Sequence, residues 1–325
     1  MTLRFGAVLA LALFVSVVSA QQRGDVLPFP KKSATYKTDG LKFQVAGRTA
    51  IPRNADVISL RHGRIVGKSD AVIEVSGYLE LKCVTGGNMV IKDVWLELTP
   101  ECKEIYLSGV VFEGKGGIRP SESGPSKARV YMEATTFKPG TSLQFESTSG
   151  KLTFSGVTAR DGFAIQGRAK DKNGGNRTEL QVLSMKAYGG ISIENVRKSI
   201  VTMSMLGGKE STFKDCETLD FLTNHAKSET FTFTQSEPKK FGKTKIKNSD
   251  FFAKNILFSA PANKPGQAER VRFEVCYFEN ARTPEAVREF VIMDVGKDEN
   301  IAVLATFKKL QKRPLGLVKY SPPKD

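Results

Sequence analysis

Residues 152–165 read LTFSGVTARDGFAI, and residues 180–193 read LQVLSMKAYGGISI. The two stretches carry an apolar residue or a glycine at the same seven positions, at offsets 0, 2, 5, 7, 10, 11 and 13. Residues 130–143 follow this template with threonine at two of its seven positions. Residues 105–118 follow it with Lys115 in place of the glycine. The chain therefore contains an internal repeat, which must be found before any single element is assigned.

The repeat extends toward the C-terminus, where segments beginning at Thr244 and Val271 keep the front half of the template. The six repeat units start at residues 105, 130, 152, 180, 244 and 271. They are 22 to 28 residues apart except for one 64-residue gap, in which two or three poorer copies are expected. A unit of this length buries no core until it stacks on its neighbours, which is typical of solenoids.

Within each unit the apolar residues alternate with polar ones, which predicts short strands with one buried face. Helical spacing, three and four residues apart over ten or more positions, is not sustained between residues 71 and 280. Gly140, Gly162 and Gly190 are expected to form turns, because glycine adopts positive φ without steric cost. One unit is therefore one lap of a coil of strands.

The lap length and alternation over residues 71–280 resemble the right-handed parallel β-helix of the pectin-lyase-like superfamily. The predicted fold is thus all-β, a right-handed parallel β-helix solenoid with N- and C-terminal caps. Polar residues that follow apolar stretches resemble the bend asparagines of such laps: Asn195, Asp215, Asn248 and Asn280. A β-sandwich is the alternative, but its longer strands and hairpin turns are poorly matched here.

Four segments are predicted along the chain. Residues 1–20 resemble a secretory signal peptide, with Arg4 before an apolar run that is too short to span a bilayer and that ends in Ser19-Ala20. Residues 21–70 form a basic N-terminal arm or cap, 71–280 the β-helix, and 281–325 a C-terminal cap and tail. Within the last segment Thr283 is positioned to cap a short helix. The protein is expected to be secreted, extracellular or periplasmic, with no transmembrane segment once the signal peptide is cleaved.

The superfamily resemblance implies polysaccharide chemistry, but its catalytic signatures are incomplete. Pectate lyases carry Arg-x-Pro-x-x-Arg; the nearest match begins at Arg282 and places its second arginine, Arg288, one residue late. The same stretch also reads as the start of a helix. The Trp-Ile-Asp-His signature is missing at Trp95, and no Asp-Asp pair of the polygalacturonase type occurs. Arg282 and Arg288 are therefore the weak candidate catalytic residues, and the sequence leaves enzymatic activity open while favouring a binding role.

The chain has a formal net charge of +15, and it contains only two histidines, His62 and His225. Two imidazoles do not furnish a multi-histidine metal site, so no metal and no cofactor are expected. Positive charge concentrates polyanions near a surface. Residues 221–270 contain nine basic and four acidic side chains, and five lysines fall within nine residues. These lysines are the predicted polyanion-binding residues: Lys239, Lys240, Lys243, Lys245 and Lys247.

The alternation places Lys243, Lys245 and Lys247 on the outward face of one strand. A strand that uses lysine only for solubility is the competing interpretation. A second basic cluster, Lys308, Lys309, Lys312 and Arg313, is interpreted as a solvated face. The expected partner is an acidic polysaccharide or an anionic cell surface, and not nucleic acid.

Three functions follow for the predicted fold. The first is a binding or structural surface protein for acidic polysaccharide or other polyanions. The second is a polysaccharide lyase or hydrolase that acts on an acidic glycan, and the third is a self-assembling component of the cell envelope. A monomer and a self-assembled state are both open.

Four cysteines permit disulfides in an exported protein. Cys83 and Cys102 are 19 residues apart, close to one lap, so a disulfide between them is predicted. Cys276 falls on an inward position and is interpreted as a small buried hydrophobe. The sequence offers Cys216 no evident partner.

Overall fold

The structure, a computed structural model, describes residues 34–37, 42–51, 58–83, 89–167, 178–234, 244–260, 271–281, 283, 285–287, 291–295 and 305–318. Within these ranges the chain is almost entirely β-strand, with one helical turn at residues 285–287. The Thr283 hydroxyl accepts a hydrogen bond from the Ala286 N–H at 3.1 Å, which confirms the predicted cap. The predicted signal peptide, residues 1–20, lies outside the described residues.

The N-terminal half contains sixteen described strands: β1 Ala34–Lys37, β2 Lys42–Val45, β3 Arg48–Ile51, β4 Ile58–Arg61, β5 Gly63–Val75, β6 Tyr78–Lys82, β7 Met89–Leu98, β8 Glu104–Ser108, β9 Val110–Glu113, β10 Gly116–Pro120, β11 Arg129–Glu133, β12 Thr136–Phe137, β13 Thr141–Ser147, β14 Lys151–Ser155, β15 Thr158–Ala159 and β16 Phe163–Gly167. Sixteen more follow: β17 Glu179–Leu183, β18 Lys186–Ala187, β19 Ile191–Glu194, β20 Lys198–Thr202, β21 Met205–Leu206, β22 Glu210–Lys214, β23 Thr218–Leu222, β24 His225–Ala226, β25 Thr230–Thr234, β26 Thr244–Lys247, β27 Asp250–Phe251, β28 Asn255–Ala260, β29 Val271–Glu274, β30 Tyr277–Phe278, β31 Val291–Val295 and β32 Ala305–Lys308.

The strands stack lap on lap in parallel sheets, so the predicted parallel β-helix is confirmed. One sheet has twelve strands in the order β1-β4-β6-β8-β11-β14-β17-β20-β23-β26-β29-β32. The repeat template is the register of this sheet, because Leu152 pairs with Leu180 and Thr244 with Val271. The 64-residue gap holds two laps, which enter the sheet through β20 and β23. Parallel pairing also extends beyond residues 71–280, from β1 to β4 and from β29 to β32.

The remaining strands line the other side of the coil. Two-residue strands such as β12, β15 and β18 alternate along the chain with longer ones such as β13, β16 and β19. In many of the strands of three or more residues the buried positions alternate with more exposed ones, as in β14 and β16. From β11 to β31 each lap therefore consists of one strand of the twelve-stranded sheet, then a two-residue strand, then a longer strand.

The core consists of like residues stacked over like, because neighbouring laps are in register. Phenylalanine rings stack at one-lap intervals, with centroids 5.2 Å apart for Phe213 and Phe233 and 4.9 Å apart for Phe233 and Phe258. Such pairs contribute about 0.5–1.5 kcal/mol beyond the burial of their area. The ring stack makes the late laps a continuous apolar column.

A single residue in the left-handed region forms the bend between the twelve-stranded sheet and the two-residue strands. The bend residues stack from lap to lap and have φ between 45° and 64°: Gly109, Ala134, Gly156, Ser184, Met203, Thr223, Asn248, Val275 and Lys309. Asn195 and Asp215 occupy a second bend, with φ of 53° and 52°. The bend role predicted for Asn195, Asp215 and Asn248 is confirmed. Asn280 lies in a turn, and its amide donates to the Ala253 carbonyl at 2.7 Å.

The buried residue after each bend forms a polar column through three late laps. The Met185 N–H donates to Ser204 Oγ at 3.1 Å, and the Ser204 N–H donates to Asn224 Oδ1 at 2.9 Å. The Asn224 N–H in turn donates to Ser249 Oγ at 3.1 Å. The buried amide that follows each of these three bends is therefore satisfied by a side chain of the next lap, as buried N–H groups require.

The predicted disulfide between Cys83 and Cys102 is wrong, and the strand register gives the reason. Tyr78 pairs with Glu104 and Lys82 with Ser108, so Cys83 lies opposite Gly109 and Cys102 lies opposite Ser76. The two cysteines are free and stand seven positions apart along the strand direction, about 23 Å at the rise of a strand, whereas a disulfide needs Cα atoms about 5.5 Å apart. Cys102 is buried, and its thiol donates to the Gly77 carbonyl at 3.7 Å. One-lap spacing in sequence therefore does not imply the same position in a lap.

Candidate functional site

Two of the five predicted polyanion-binding lysines lie in the described part of the chain. Lys245 and Lys247 are on β26, where Thr244 and Ile246 are buried, Lys245 is exposed and Lys247 is half-buried. Both lysines therefore point outward, as the alternation predicts. Lys239, Lys240 and Lys243 lie outside the described residues, as do the candidate catalytic residues Arg282 and Arg288.

Strand pairing adds further basic side chains to β26. Lys245 pairs with Arg272 on β29, and Lys247 pairs with Glu274 on the same strand. Glu274 pairs in turn with Lys308 on β32, and Lys309 follows at the bend. We name this surface the C-terminal basic face, defined as the outward side chains Lys245, Lys247, Arg272, Lys308 and Lys309.

One carboxylate lies within the C-terminal basic face. Glu274 Oε1 is 3.4 Å from Lys247 Nζ, so this acid offsets one of five positive charges. Lys245, Lys308 and Lys309 are exposed and form no ion pair with a described residue. Asp220 pairs with Lys245 from the preceding lap and marks the edge of the positive surface.

Several basic side chains outside the C-terminal basic face are matched by acids. Lys214 Nζ lies 2.6 Å from Glu194 Oε1, and Lys254 Nζ lies 3.1 Å from Glu229 Oε1. The Glu194 contact raises the pKa of Lys214 through a hydrogen bond and Coulombic attraction. The C-terminal basic face differs in that three of its lysines, Lys245, Lys308 and Lys309, form no ion pair with a described residue.

A groove lies on the side of the coil formed by the longer strands. It is a groove of about 540 Å³ that spans β13, β16, β19 and β22. We name it the glycine groove, after the turn glycines that border it. It is lined by Gly140, Thr141, Ser142, Leu143, Gln144, Asp161, Gly162, Phe163, Ala164, Gly189, Gly190, Ile191, Ser192, Glu210 and Thr212.

The two histidines do not assemble a catalytic constellation with described residues. His225 is 8% exposed, and its ring centroid lies 4.5 Å from that of Phe252. Burial, and then the charge of Lys227, lower the pKa of His225, so the ring is held neutral. Its register neighbour Asp250 is also buried and accepts hydrogen bonds from the N–H groups of Leu315 and Gly316 at 2.8 and 3.1 Å. This carboxylate holds the C-terminal segment against the coil.

Buried cysteines are equally unsuited to chemistry. Burial raises the pKa of the Cys102, Cys216 and Cys276 thiols to about 12. The nucleophilic form of cysteine is the thiolate, which such thiols do not populate near neutral pH. Cys276 is fully buried, in agreement with its interpretation as a small core residue.

Sequence reasoning missed Arg272 as a member of the basic surface and treated Lys308 and Lys309 as a separate solvated cluster. The signal for Arg272 was present, because template starts 244 and 271 place it opposite Lys245. The sequence does not predict the position of Lys308, because the repeat template is not recognisable around β32. The glycine groove was not predicted either, although its turn glycines were.

No protein-family model, curated protein sequence or solved structure matches this chain. Among the described residues, no helix is long and apolar enough to cross a membrane. Within the same ranges no three His, Cys, Asp or Glu side chains are grouped so as to hold a metal ion.

Proposed function

We propose that this chain is an exported β-helix surface protein that binds acidic polysaccharide through the C-terminal basic face. One observation supports this function above others: lap stacking brings basic residues from three separate strands, β26, β29 and β32, onto one surface. The apolar run near the N-terminus supports export.

The spacing of the charges favours binding of an extended polyanion. Neighbouring strands lie about 4.8 Å apart, and outward residues of one strand about 6.6 Å apart. Both distances are below the screening length of about 8 Å at physiological ionic strength. The five positive side chains therefore attract a ligand together, and Glu274 partly offsets the charge of Lys247.

The arrangement suits a chain with regularly spaced carboxylates or sulfates. Such a ligand can lie along the stacking direction and meet Lys245 and Arg272, or along a strand and meet Lys245 and Lys247. Among the described residues this face carries a single outward carboxylate, Glu274, whereas glycoside hydrolysis uses a pair, so binding is favoured over hydrolase chemistry.

The test is salt elution from heparin and polygalacturonate resins, with the double variant Lys245→Glu/Lys308→Glu. Each lysine contact with an anionic group contributes about 1 kcal/mol at about 4 Å in water. Two lost contacts weaken binding by about 2 kcal/mol, or about 30-fold, and the variant elutes at lower salt.

The matched control is Lys151→Glu/Lys198→Glu. These exposed lysines lie on the same twelve-stranded sheet, on either side of Glu179 in register, outside the C-terminal basic face. The control changes net charge by the same amount, and we expect its binding to change by less than about twofold. Equal shifts for the two double variants would mean that only overall charge matters, and would contradict the proposal. So would the absence of retention of the unmodified protein.

A further inference from the structure

The glycine groove owes its shape to four register-matched residues. Gln144 pairs with Ala164, Ala164 with Ser192, and Ser192 with Thr212. All four side chains point outward from their strands. The two central residues, Ala164 and Ser192, are smaller than Gln144 and Thr212 on either side, so the surface is lower in the middle. The outer strands, β13 and β22, are three strand spacings apart, about 14 Å. The result is a trough that runs along the strand direction.

Glycines keep the end of the trough bare. A Cβ at Gly189 would lie 2.2 Å from the Asp161 carbonyl carbon, and a Cβ at Gly190 would lie 2.0 Å from the Glu210 carbonyl oxygen. Gly190 also has a φ of 95°, which side chains rarely adopt. Close packing of consecutive turns therefore requires glycine, and leaves backbone as the floor between Asp161 and Glu210.

The two carboxylates that flank this floor are held in place. Asp161 Oδ2 accepts a hydrogen bond from the Gly140 N–H at 2.7 Å. Glu210 Oε1 accepts from the hydroxyls of Thr212 and Thr232, each at 3.1 Å. An ionised carboxylate has about four acceptor sites, so both groups keep acceptor capacity for a ligand. Ser142, Gln144 and Ser192 add hydroxyl and amide groups that donate and accept.

The lining selects among ligand classes. Its ionisable members are both acidic and none is basic, so an anionic ligand is repelled. Asp161 lies two laps before Glu210, and no third His, Cys, Asp or Glu of the described residues joins them to hold a metal ion. Fixed acceptors beside hydroxyl and amide groups match a ligand that is uncharged and rich in hydroxyl donors.

We propose that the glycine groove is a binding site for a neutral oligosaccharide chain, with Asp161 and Glu210 accepting hydrogen bonds from sugar hydroxyls. The site lies on a different face from the C-terminal basic face and takes a different ligand. It goes beyond the polyanion-binding function and does not rest on it.

The test is isothermal titration calorimetry of the full folded protein with three neutral hexasaccharides, cellohexaose, xylohexaose and mannohexaose, and with hexagalacturonate as the acidic comparison. We expect saturable binding of at least one neutral hexasaccharide at about millimolar concentration or below. Ala164→Trp fills the trough and is expected to weaken that binding at least about tenfold. Glu210→Gln removes a charged acceptor and is expected to weaken it about tenfold.

Matched controls lie on the same strands outside the groove. Gln166→Trp places the same indole side chain two residues beyond Ala164 on the outward face of β16, and Glu146→Gln removes a charge from β13. Both are expected to bind like the unmodified protein. The variant Lys245→Glu/Lys308→Glu is also expected to keep neutral binding, which separates this site from the basic face.

Three results would overturn the inference. The first is that the unmodified protein binds none of the three neutral hexasaccharides. The second is equal binding by Ala164→Trp and Gln166→Trp. The third is tighter binding of hexagalacturonate than of any neutral chain, lost in Ala164→Trp. Circular dichroism of each variant confirms that the strands are intact before titration.

Discussion

Replacement of Asn224 tests whether the polar column inside the coil stabilises the late laps. The side chain is 2% exposed. Its Oδ1 accepts the Ser204 N–H at 2.9 Å, and its Nδ2 donates to the Val201 carbonyl at 2.8 Å. Asn224→Ala removes both hydrogen bonds, whereas Asn224→Ser keeps a hydroxyl at the position that Ser204 and Ser249 occupy in the neighbouring laps.

The expected costs can be worked from these contacts. In Asn224→Ala the Ser204 N–H stays buried without an acceptor, which costs about 1–3 kcal/mol, and loss of the bond to Val201 costs about 1 kcal/mol more. The sum is about 2–4 kcal/mol. A serine hydroxyl can accept the Ser204 N–H, as Ser249 Oγ accepts the Asn224 N–H at 3.1 Å. Asn224→Ser should therefore lose only about 1 kcal/mol.

Equilibrium urea unfolding followed by circular dichroism measures both variants. The free energies of unfolding are comparable only if the slope against urea concentration is the same as that of the unmodified protein. We expect the order unmodified, then Ser, then Ala, with a gap of about 1–3 kcal/mol between Ser and Ala. Equal stability of the Ser and Ala variants would refute the reasoning, because the two differ mainly in the hydroxyl acceptor.

Two further predictions concern the bends and the thiols. Val275 is a β-branched residue at φ 55°, so Val275→Gly should raise the free energy of unfolding by up to about 1 kcal/mol. The reciprocal Gly156→Ala at φ 64° should lower it by about the same amount, and urea midpoints that move in the opposite directions would contradict the strain argument. The thiols of Cys102 and Cys276, with pKa values raised from 9.0 to about 12, should react with a thiol reagent at about pH 8 only as fast as the protein unfolds. The thiols of the unfolded chain ionise at lower pH than those of the folded protein, so the free energy of unfolding should be constant below about pH 9 and should fall between about pH 9 and 12. Urea midpoints that do not change with pH over that range would show that burial does not perturb these groups.

The fold could be predicted because residues that stack on one another in neighbouring laps are similar, so the strand register appears in the sequence as a repeat. The template that aligns Leu152 with Leu180 is also the pairing of β14 with β17. The laps through β20 and β23 were harder to identify, since Ser199 takes the inward position that leucine holds in β17 and β23. Buried small polar residues weaken the apolar signal, although the backbone path is unchanged.

The candidate sites were only partly predictable for a related reason. Alternation within one strand predicted that Lys245 and Lys247 point outward, but Lys308 joins them only through β32, which follows a segment without a recognised repeat. The glycine groove depends on which laps carry small outward residues side by side, such as Ala164 and Ser192. That arrangement needs the register of four strands at once, whereas the disulfide error came from lap spacing used without register.

The polar column also gives the coil a direction. The Met185 amide finds its acceptor in Ser204, and the Ser204 amide finds its own in Asn224, so each lap is completed by a residue that the ribosome adds about twenty positions later. Each of these laps therefore leaves, besides its unpaired strand edges, one buried amide that a side chain of the next lap must satisfy. Growth of these laps is favoured from the N-terminal side, because each docking lap supplies the acceptor for the preceding amide and presents a new amide to its successor.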